Sequence, residues 1–252
     1  MKTILFDLDG TLLPMDQEKF VEAYFGLLAK KLAPHGYEPK PLVDAIWKGT
    51  AAMVKNNGSC TNEQAFWRQF VNIFGERVRR DEPLFEEYYH QEFEWVRQVC
   101  GFAPKAAETV KALKAAGCRV ALATNPIFPA VATQARIRWA GLDARDFELV
   151  TTYENSRFCK PNPAYYQEIL RTLDAAPEDC CMVGNDVKED MAAARLGMQV
   201  FLLTDCLINS EGEDIHAYPH GSFEELMAFL ERMGFYENCT GCGKAEKPGC
   251  SL

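Results

Sequence analysis

The chain has 252 residues, 48% apolar and 25% charged, with a formal net charge of −9 and a pI near 5.1. This acidity argues against nucleic acid or an anionic membrane as the main partner, although a local lysine or a bound cation can still reverse the field around an anionic substrate. The length suffices to bury a real core, in one large domain or two modest ones.

The first residues form the stretch Ile4-Leu5-Phe6-Asp7-Leu8-Asp9-Gly10-Thr11. Ile4 to Phe6 read as a buried strand that ends in two carboxylates and a glycine. Met1 to Phe6 resemble the start of a signal peptide, but Asp7 and Asp9 cut the apolar run short. No segment approaches the ~20 apolar residues of a membrane span, so a cytoplasmic protein is expected. Ten cysteines are present. Seven of them (Cys60, Cys100, Cys118, Cys159, Cys180, Cys181 and Cys206) are scattered through predicted strands and helices, as free thiols in a reducing compartment would be.

From Asp16 to Cys100 the pattern is helical. Phe20, Ala23, Tyr24, Leu27, Leu28 and Leu32 recur at three- and four-residue steps up to a break at His35-Gly36. A second helix is predicted from about Pro41 to Lys55. A third starts at Thr61, with Gln64 placed to complete a capping box. A fourth is predicted from Pro83 to Val99. Four helices with short loops and dense aromatic residues suggest a compact bundle.

From Lys105 helix and strand alternate. Helices are predicted at Ala106 to Ala116, Pro129 to Ala140, Pro163 to Leu173, Glu189 to Leu196, and from the Ser222 cap to Met233. Strands are predicted at Arg119 to Ala123, Phe147 to Val150, Cys180 to Val183, and Gln199 to Leu203. The expected class is α/β: a Rossmann-like parallel sheet with helices on both faces, plus an inserted all-helical cap. The expected division is a core of residues 1–14 and 101–235, a cap of residues 15–100, and a cysteine-containing tail of residues 236–252. Such an insertion after the first strand belongs over the carboxyl edge of the sheet, where a lid sits.

Polar residues that no sheet requires cluster at the strand ends. They are Asp7 and Asp9, Thr124 and Asn125, Lys160, and Asn185, Asp186 and Asp190. In an open parallel sheet all of these converge on one edge, where ligands bind. A carboxylate approaching a phosphate dianion at about 3 Å meets roughly 5 kcal/mol of repulsion per charge pair at an effective dielectric of 20. Asp7, Asp9 and Asp186 read as hard oxygen ligands for Mg²⁺, and Lys160 adds a second positive charge. The Thr124 hydroxyl and the Asn125 backbone N–H can hold phosphoryl oxygens. Asp7 could then form an aspartyl-phosphate, with Asp9 as general acid and base.

This arrangement resembles the haloacid dehalogenase-like hydrolase superfamily over nearly all of the chain to about residue 235. Asp7-Leu8-Asp9-Gly10-Thr11 is similar to its first motif, Thr124 to its second, Lys160 to its third, and Gly184-Asn185-Asp186 with Asp190 to its fourth. The resemblance implies Asp7 as nucleophile and Asp9 as general acid/base. It also implies metal ligands at the Asp7 side chain, the Asp9 backbone carbonyl and a fourth-motif acid. The expected activity is Mg²⁺-dependent hydrolysis of a small phosphorylated metabolite. Phosphomutase, phosphonate hydrolase with a cap lysine (Lys19, Lys30, Lys31, Lys40, Lys48 or Lys55), and a non-catalytic phosphate-binding protein are the alternatives.

One departure stands out. The commoner fourth motif has Asp directly after Gly, where this chain has Asn185. Either Asp186 is the direct ligand, or Asn185 holds that position and Asp190 contributes the charge. We favour Asp186, with Asp190 assisting directly or through water. Cys239, Cys242 and Cys250 read as spare thiols in a Gly/Lys/Pro tail; the alternative is a zinc site, for which the spacing offers three ligands and His216 or His220 a fourth.

Overall fold

Ile4, Leu5 and Phe6 are wholly buried, as a strand covered on both faces requires. In the computed structural model, described for residues 1–236, they belong to β1 (Thr3–Phe6). β1 is an inner strand of a parallel sheet with β2 (Arg119–Leu122), β3 (Cys180–Gly184), β4 (Gln199–Leu203) and β5 (His220–Gly221). The strand order is β2-β1-β3-β4-β5. Ile4 pairs with Val120 on one side and Cys181 on the other.

Side chains alternate across this sheet with the two-residue period of a strand. Ile4, Phe6, Leu122, Val183 and Phe201 enter one apolar core, while Leu5, Ala121, Met182 and Leu202 enter a second. α5 (Pro104–Ala115), α6 (Ala130–Trp139) and α8 (Phe223–Arg232) cover the first face, and α7 (Pro163–Thr172) covers the second. The order of connection reverses between β1 and β3, which makes their carboxyl ends the topological switch point of the sheet. The Asp7 N–H donates to the Val183 carbonyl at 2.9 Å, so the two edges stay in register just where the acidic residues begin.

The segment between β1 and α5 contains α1 (Gln17–Leu32), α2 (Pro39–Val54), α3 (Asn62–Phe74), α4 (Arg77–His90) and a 3₁₀ turn over Glu92–Val99. Its aromatic rings join the first core. Tyr24 meets Phe128 at 5.4 Å and Phe93 meets Trp139 at 5.1 Å. The Thr61/Gln64 capping box opens α3 as the spacing predicts. The first-turn N–H groups of α3, which no helix can satisfy internally, are taken by the other part of the chain. Asn62 N–H donates to the Ser156 carbonyl at 2.9 Å and Glu63 N–H to the Tyr153 carbonyl at 2.8 Å. The buried Asn62 amide donates in addition to the Pro126 carbonyl at 3.1 Å. α3 is therefore clasped to the loops at the sheet edge by main chain and side chain together.

Several expected boundaries differ. Pro83 lies inside α4 rather than at its start. Burial of Val78, Phe85 and Tyr88 along one face outweighs the loss of one helical hydrogen bond at an exposed proline. Residues 147–150 are not a strand of the sheet. They bond along the free edge of β2, Glu148 N–H to Val120 and Leu122 N–H to Leu149, but form one isolated bridge at Val150. The helix expected from Glu189 is a 3₁₀ segment over Met191–Leu196. The two-residue β5 had no apolar run to announce it. The seven cysteines from Cys60 to Cys206 are free. Cys239, Cys242 and Cys250 lie outside the described residues.

Asn62→Ala is expected to lower stability by about 1–3 kcal/mol, because it leaves a buried carbonyl without a donor. The midpoint of urea unfolding measures this.

Candidate active site

The acidic residues that follow β1 can turn back toward the sheet because Gly10 adopts φ +83°. A Cβ there would also lie 2.3 Å from the Asn185 amide nitrogen, so Gly10 lets the first and fourth motifs close on each other. The Thr11 hydroxyl ties them. It lies 3.2 Å from Asp7 Oδ2 and 2.9 Å from Asn185 Oδ1, sharing its single proton between them. The Asn185 amide in turn donates to the Cys206 carbonyl at 2.7 Å. Asn185 is thus committed to holding the turn.

Lys160 arrives from the loop before α7 and is fully enclosed, at 1% exposure. Its ammonium donates to Asp7 Oδ1 at 2.8 Å and to Asp190 Oδ1 at 2.6 Å. Burial alone would depress this ammonium, but the Asp190 and Asp7 carboxylates outweigh it and hold its pKa well above the usual lysine value. Asp190 comes within reach because position 184 has no side chain. A Cβ on Gly184 would sit 2.0 Å from Asp190 Oδ2. That second oxygen accepts the Asp186 N–H at 2.9 Å. Both Asp190 oxygens are therefore engaged, one by the Lys160 ammonium and one by the Asp186 N–H.

The Asp186 Oδ1 accepts the N–H groups of Lys188 and Glu189, which turns this side chain toward the cavity edge. Thr124 lines the same space, its carbonyl tied by the Thr151 and Tyr165 hydroxyls. Asp7, Asp9, Thr124, Asn125, Asp186 and Asp190 all border one cavity of about 790 Å³ between the sheet edge and the helical insertion. The residues singled out in the sequence come together, with Lys160 buried behind Asp7 and Asp190.

Two participants were not anticipated. Arg136 on α6 is completely buried and ion-paired to Asp9 Oδ2. Its guanidinium lies 4.4 Å from the Phe128 ring and donates also to the Ala132 carbonyl and the Thr133 hydroxyl. The signal was present: Ala132, Arg136 and Ala140 follow the four-residue step of the buried face. Glu189 is the second, receiving the Asn125 amide at 3.0 Å on each oxygen.

The site holds more negative charge than its two cations balance. Among the described residues Asp7, Asp9, Asp186, Glu189 and Asp190 face Lys160 and Arg136 alone. Burial raises Asp7, Lys160 opposes it, and the Asp190 and Asp9 charges add to burial, so its carboxyl is pushed up to about 7. Burial, against Lys160 and with Asp190, pushes Glu189 up to about 8. Asp9 Oδ1 and Asn125 Oδ1 are buried without a partner among the described residues. No grouping of three His, Cys, Asp or Glu side chains suited to a metal occurs among the described residues. A hard cation such as Mg²⁺ takes only one or two carboxylates and fills its shell with water and substrate oxygens, so this acidic, under-compensated cavity fits it.

The description haloacid dehalogenase-like hydrolase belongs to the family model that matches residues 1–197. Phosphoglycolate phosphatase from Colwellia psychrerythraea is 26% identical over 237 residues, covering 92% of this chain and 97% of that protein. Pyrophosphatase PpaX from Bacillus mycoides is 28% identical over 192 residues, covering 74% of this chain and 75% of that protein. The solved structure of 2-haloacid dehalogenase from Pseudomonas syringae pv. Tomato DC3000 superposes with a TM-score of 0.63 at 19% identity, over 92% of this chain and 99% of that one. No helix among the described residues is long and apolar enough to cross a membrane.

Lys160→Met leaves two buried carboxylates facing each other and is expected to lower stability by about 3–5 kcal/mol. Adding Asp190→Asn should recover part of that loss in urea unfolding at pH 7.5.

Proposed function

Because the chain belongs to the haloacid dehalogenase-like hydrolases, we propose that it hydrolyses phosphate monoesters of small molecules through an aspartyl-phosphate on Asp7. The observation that carries this reading is the buried Lys160 ammonium, 2.8 Å from Asp7 and 2.6 Å from Asp190, under a cavity bordered by the other motif residues.

Asp7 Oδ1 is anchored on Lys160. Oδ2, held only by the Thr11 hydroxyl at 3.2 Å, is the freer oxygen and the nucleophile. It forms a bond to phosphorus as the bond from phosphorus to the alcohol oxygen breaks. Asp9 delivers a proton to that departing oxygen. Water then attacks the phosphoryl group, Asp9 takes its proton back, and the bond from Asp7 to phosphorus breaks to release inorganic phosphate. Thr124, Asn125 and Lys160 hold the phosphoryl oxygens. Asp7, the Asp9 carbonyl and Asp186 would hold Mg²⁺, which would supply positive charge against the repulsion between carboxylate and phosphate. Asp190 positions Lys160. The insertion of residues 15–100 acts as a cap that closes the cavity.

Arg136 is a positioning residue. By pairing with Asp9 Oδ2 it leaves the unpartnered Oδ1 to meet the leaving oxygen. The phosphonate reading needs a cap lysine in the site, but none of the six lysines weighed for it borders the cavity.

Purified protein with Mg²⁺ is expected to hydrolyse 4-nitrophenyl phosphate, and Asp7→Asn to abolish the activity while remaining folded. A folded, Mg²⁺-loaded wild-type protein inert toward a broad phosphate panel would favour the non-catalytic alternative. Arg136→Met is expected to lower kcat by about 10–100-fold for an alkyl phosphate, whose leaving group needs the proton, and by much less for 4-nitrophenyl phosphate. Equal losses on both would indicate a purely structural role.

A further inference from the structure

The cavity extends well beyond the phosphate-binding residues. Its volume of about 790 Å³ is in the range that accommodates a ligand with a substantial organic body. Its outer wall is aromatic: Tyr24, Phe66, Trp67, Tyr89, Phe128 and Tyr153 border it. These rings lean on one another. Phe66 and Trp67 are 5.5 Å apart, Phe66 and Tyr153 6.5 Å, and Tyr24 and Phe128 5.4 Å. They present π faces and hydroxyls, and the Tyr24 and Tyr89 hydroxyls meet at 2.8 Å.

Every formal charge on that outer wall is negative. Glu63, Glu82, Glu86 and Glu154 border the cavity, and no lysine or arginine does among the described residues; His90 is the one imidazole. Glu82 is engaged by Arg79 at 2.6 Å, and Glu154 accepts the Ala130 N–H at the start of α6. The Glu63 carboxylate makes no ion pair among the described residues, and burial with the Glu154 and Glu82 charges raises its pKa. A second phosphate or a carboxylate, as in pyrophosphate or phosphoglycolate, would meet the like charge of Glu63, Glu86 and Glu154 there, the Arg79 charge beside Trp67 being taken up by Glu82. An organic cation meets both features of the wall at once, because ring faces and carboxylates each attract positive charge and the rings also cover apolar surface.

We infer that the substrate is a phosphate monoester whose alcohol carries an apolar or aromatic body ending in a positive charge, with the ammonium seated among the outer rings near Glu63. This rests on the phosphatase reading and specifies its substrate class. The phosphoryl end and the cationic end would then be sorted by the cavity itself: Asp7, Thr124 and Asn125 at the inner end, with Lys160 behind Asp7, and carboxylates and rings at the mouth. The same arrangement rejects bisphosphates, which disfavours the phosphomutase alternative.

A near-isosteric series tests it: 4-(2-aminoethyl)phenyl phosphate, 4-ethylphenyl phosphate and 4-(2-carboxyethyl)phenyl phosphate, which differ in the charge of the tail. The expected order of kcat/KM is amine, then neutral, then carboxylate, with about tenfold or more between the first two. Glu63→Gln should reduce the preference for the amine severalfold, and Glu82→Gln serves as a second variant at the same wall. Thermal melting checks that both are folded. Equal rates on all three esters, or a preference for the carboxylate, overturn the inference and leave the phosphatase reading intact. If none is hydrolysed the phosphatase reading fails. Calorimetric binding of the three parent phenols then still reads the wall, tighter binding of the amine supporting the charge preference and equal or reversed affinities overturning it.

Discussion

A single ammonium between two buried carboxylates organises the functional end of this molecule. The Asp7 and Asp190 carboxylates hold the Lys160 ammonium charged in a site this enclosed, and Lys160 in turn opposes the effect of burial on Asp7. Every local peculiarity nearby serves that contact. Gly184 lacks the side chain that would displace Asp190. Gly10 turns the first motif back at φ +83° against Asn185. Thr11 bridges the two motifs. Deletion of any one partner leaves a buried polar group unpaired, which is why the site behaves as a unit rather than as a set of independent residues.

The parallel sheet makes this possible by bringing three distant stretches to one edge. With strand order β2-β1-β3-β4-β5, the ends of β1 and β3 lie side by side at the switch point, and the loop before α7 drops Lys160 between them. The helical insertion leaves β1 immediately after the acidic motif and returns at α5. It is joined to the sheet edge through Asn62 and the first turn of α3. Its aromatic residues therefore serve two purposes. One set fills the core against Phe128 and Trp139, and another forms the wall of the cavity. The inner and outer ends of that cavity differ in character because they come from different parts of the chain.

Much of this was legible in the amino-acid order. Apolar runs closed by acidic or Gly-Asn-Asp turns mark the strands and name the residues at their ends, since buried strands of a parallel sheet admit little else. The capping box at Thr61 and the cap at Ser222 are local chemistry and fall where the sequence places them. The misjudged stretches are those where distant packing overrides local preference. Pro83 is tolerated within α4 because its buried neighbours hold the helix. Residues 147–150 stay outside the ladder although they bond along the edge of β2. β5 is too short to carry a pattern.

Sequence alone determined the fold class, the family resemblance and the ring of acids around one lysine, because each is encoded by contiguous motifs or by strict periodicity. Only the tertiary structure decided which partner each polar group takes. It gave Asp190 to Lys160, assigned Asn185 to the turn, and brought Arg136 from another helix to Asp9. It also gathered rings and glutamates from separate helices into a single acidic, aromatic wall. Contacts between residues a hundred positions apart depend on how helices pack against the sheet, and no spacing within the chain records that geometry.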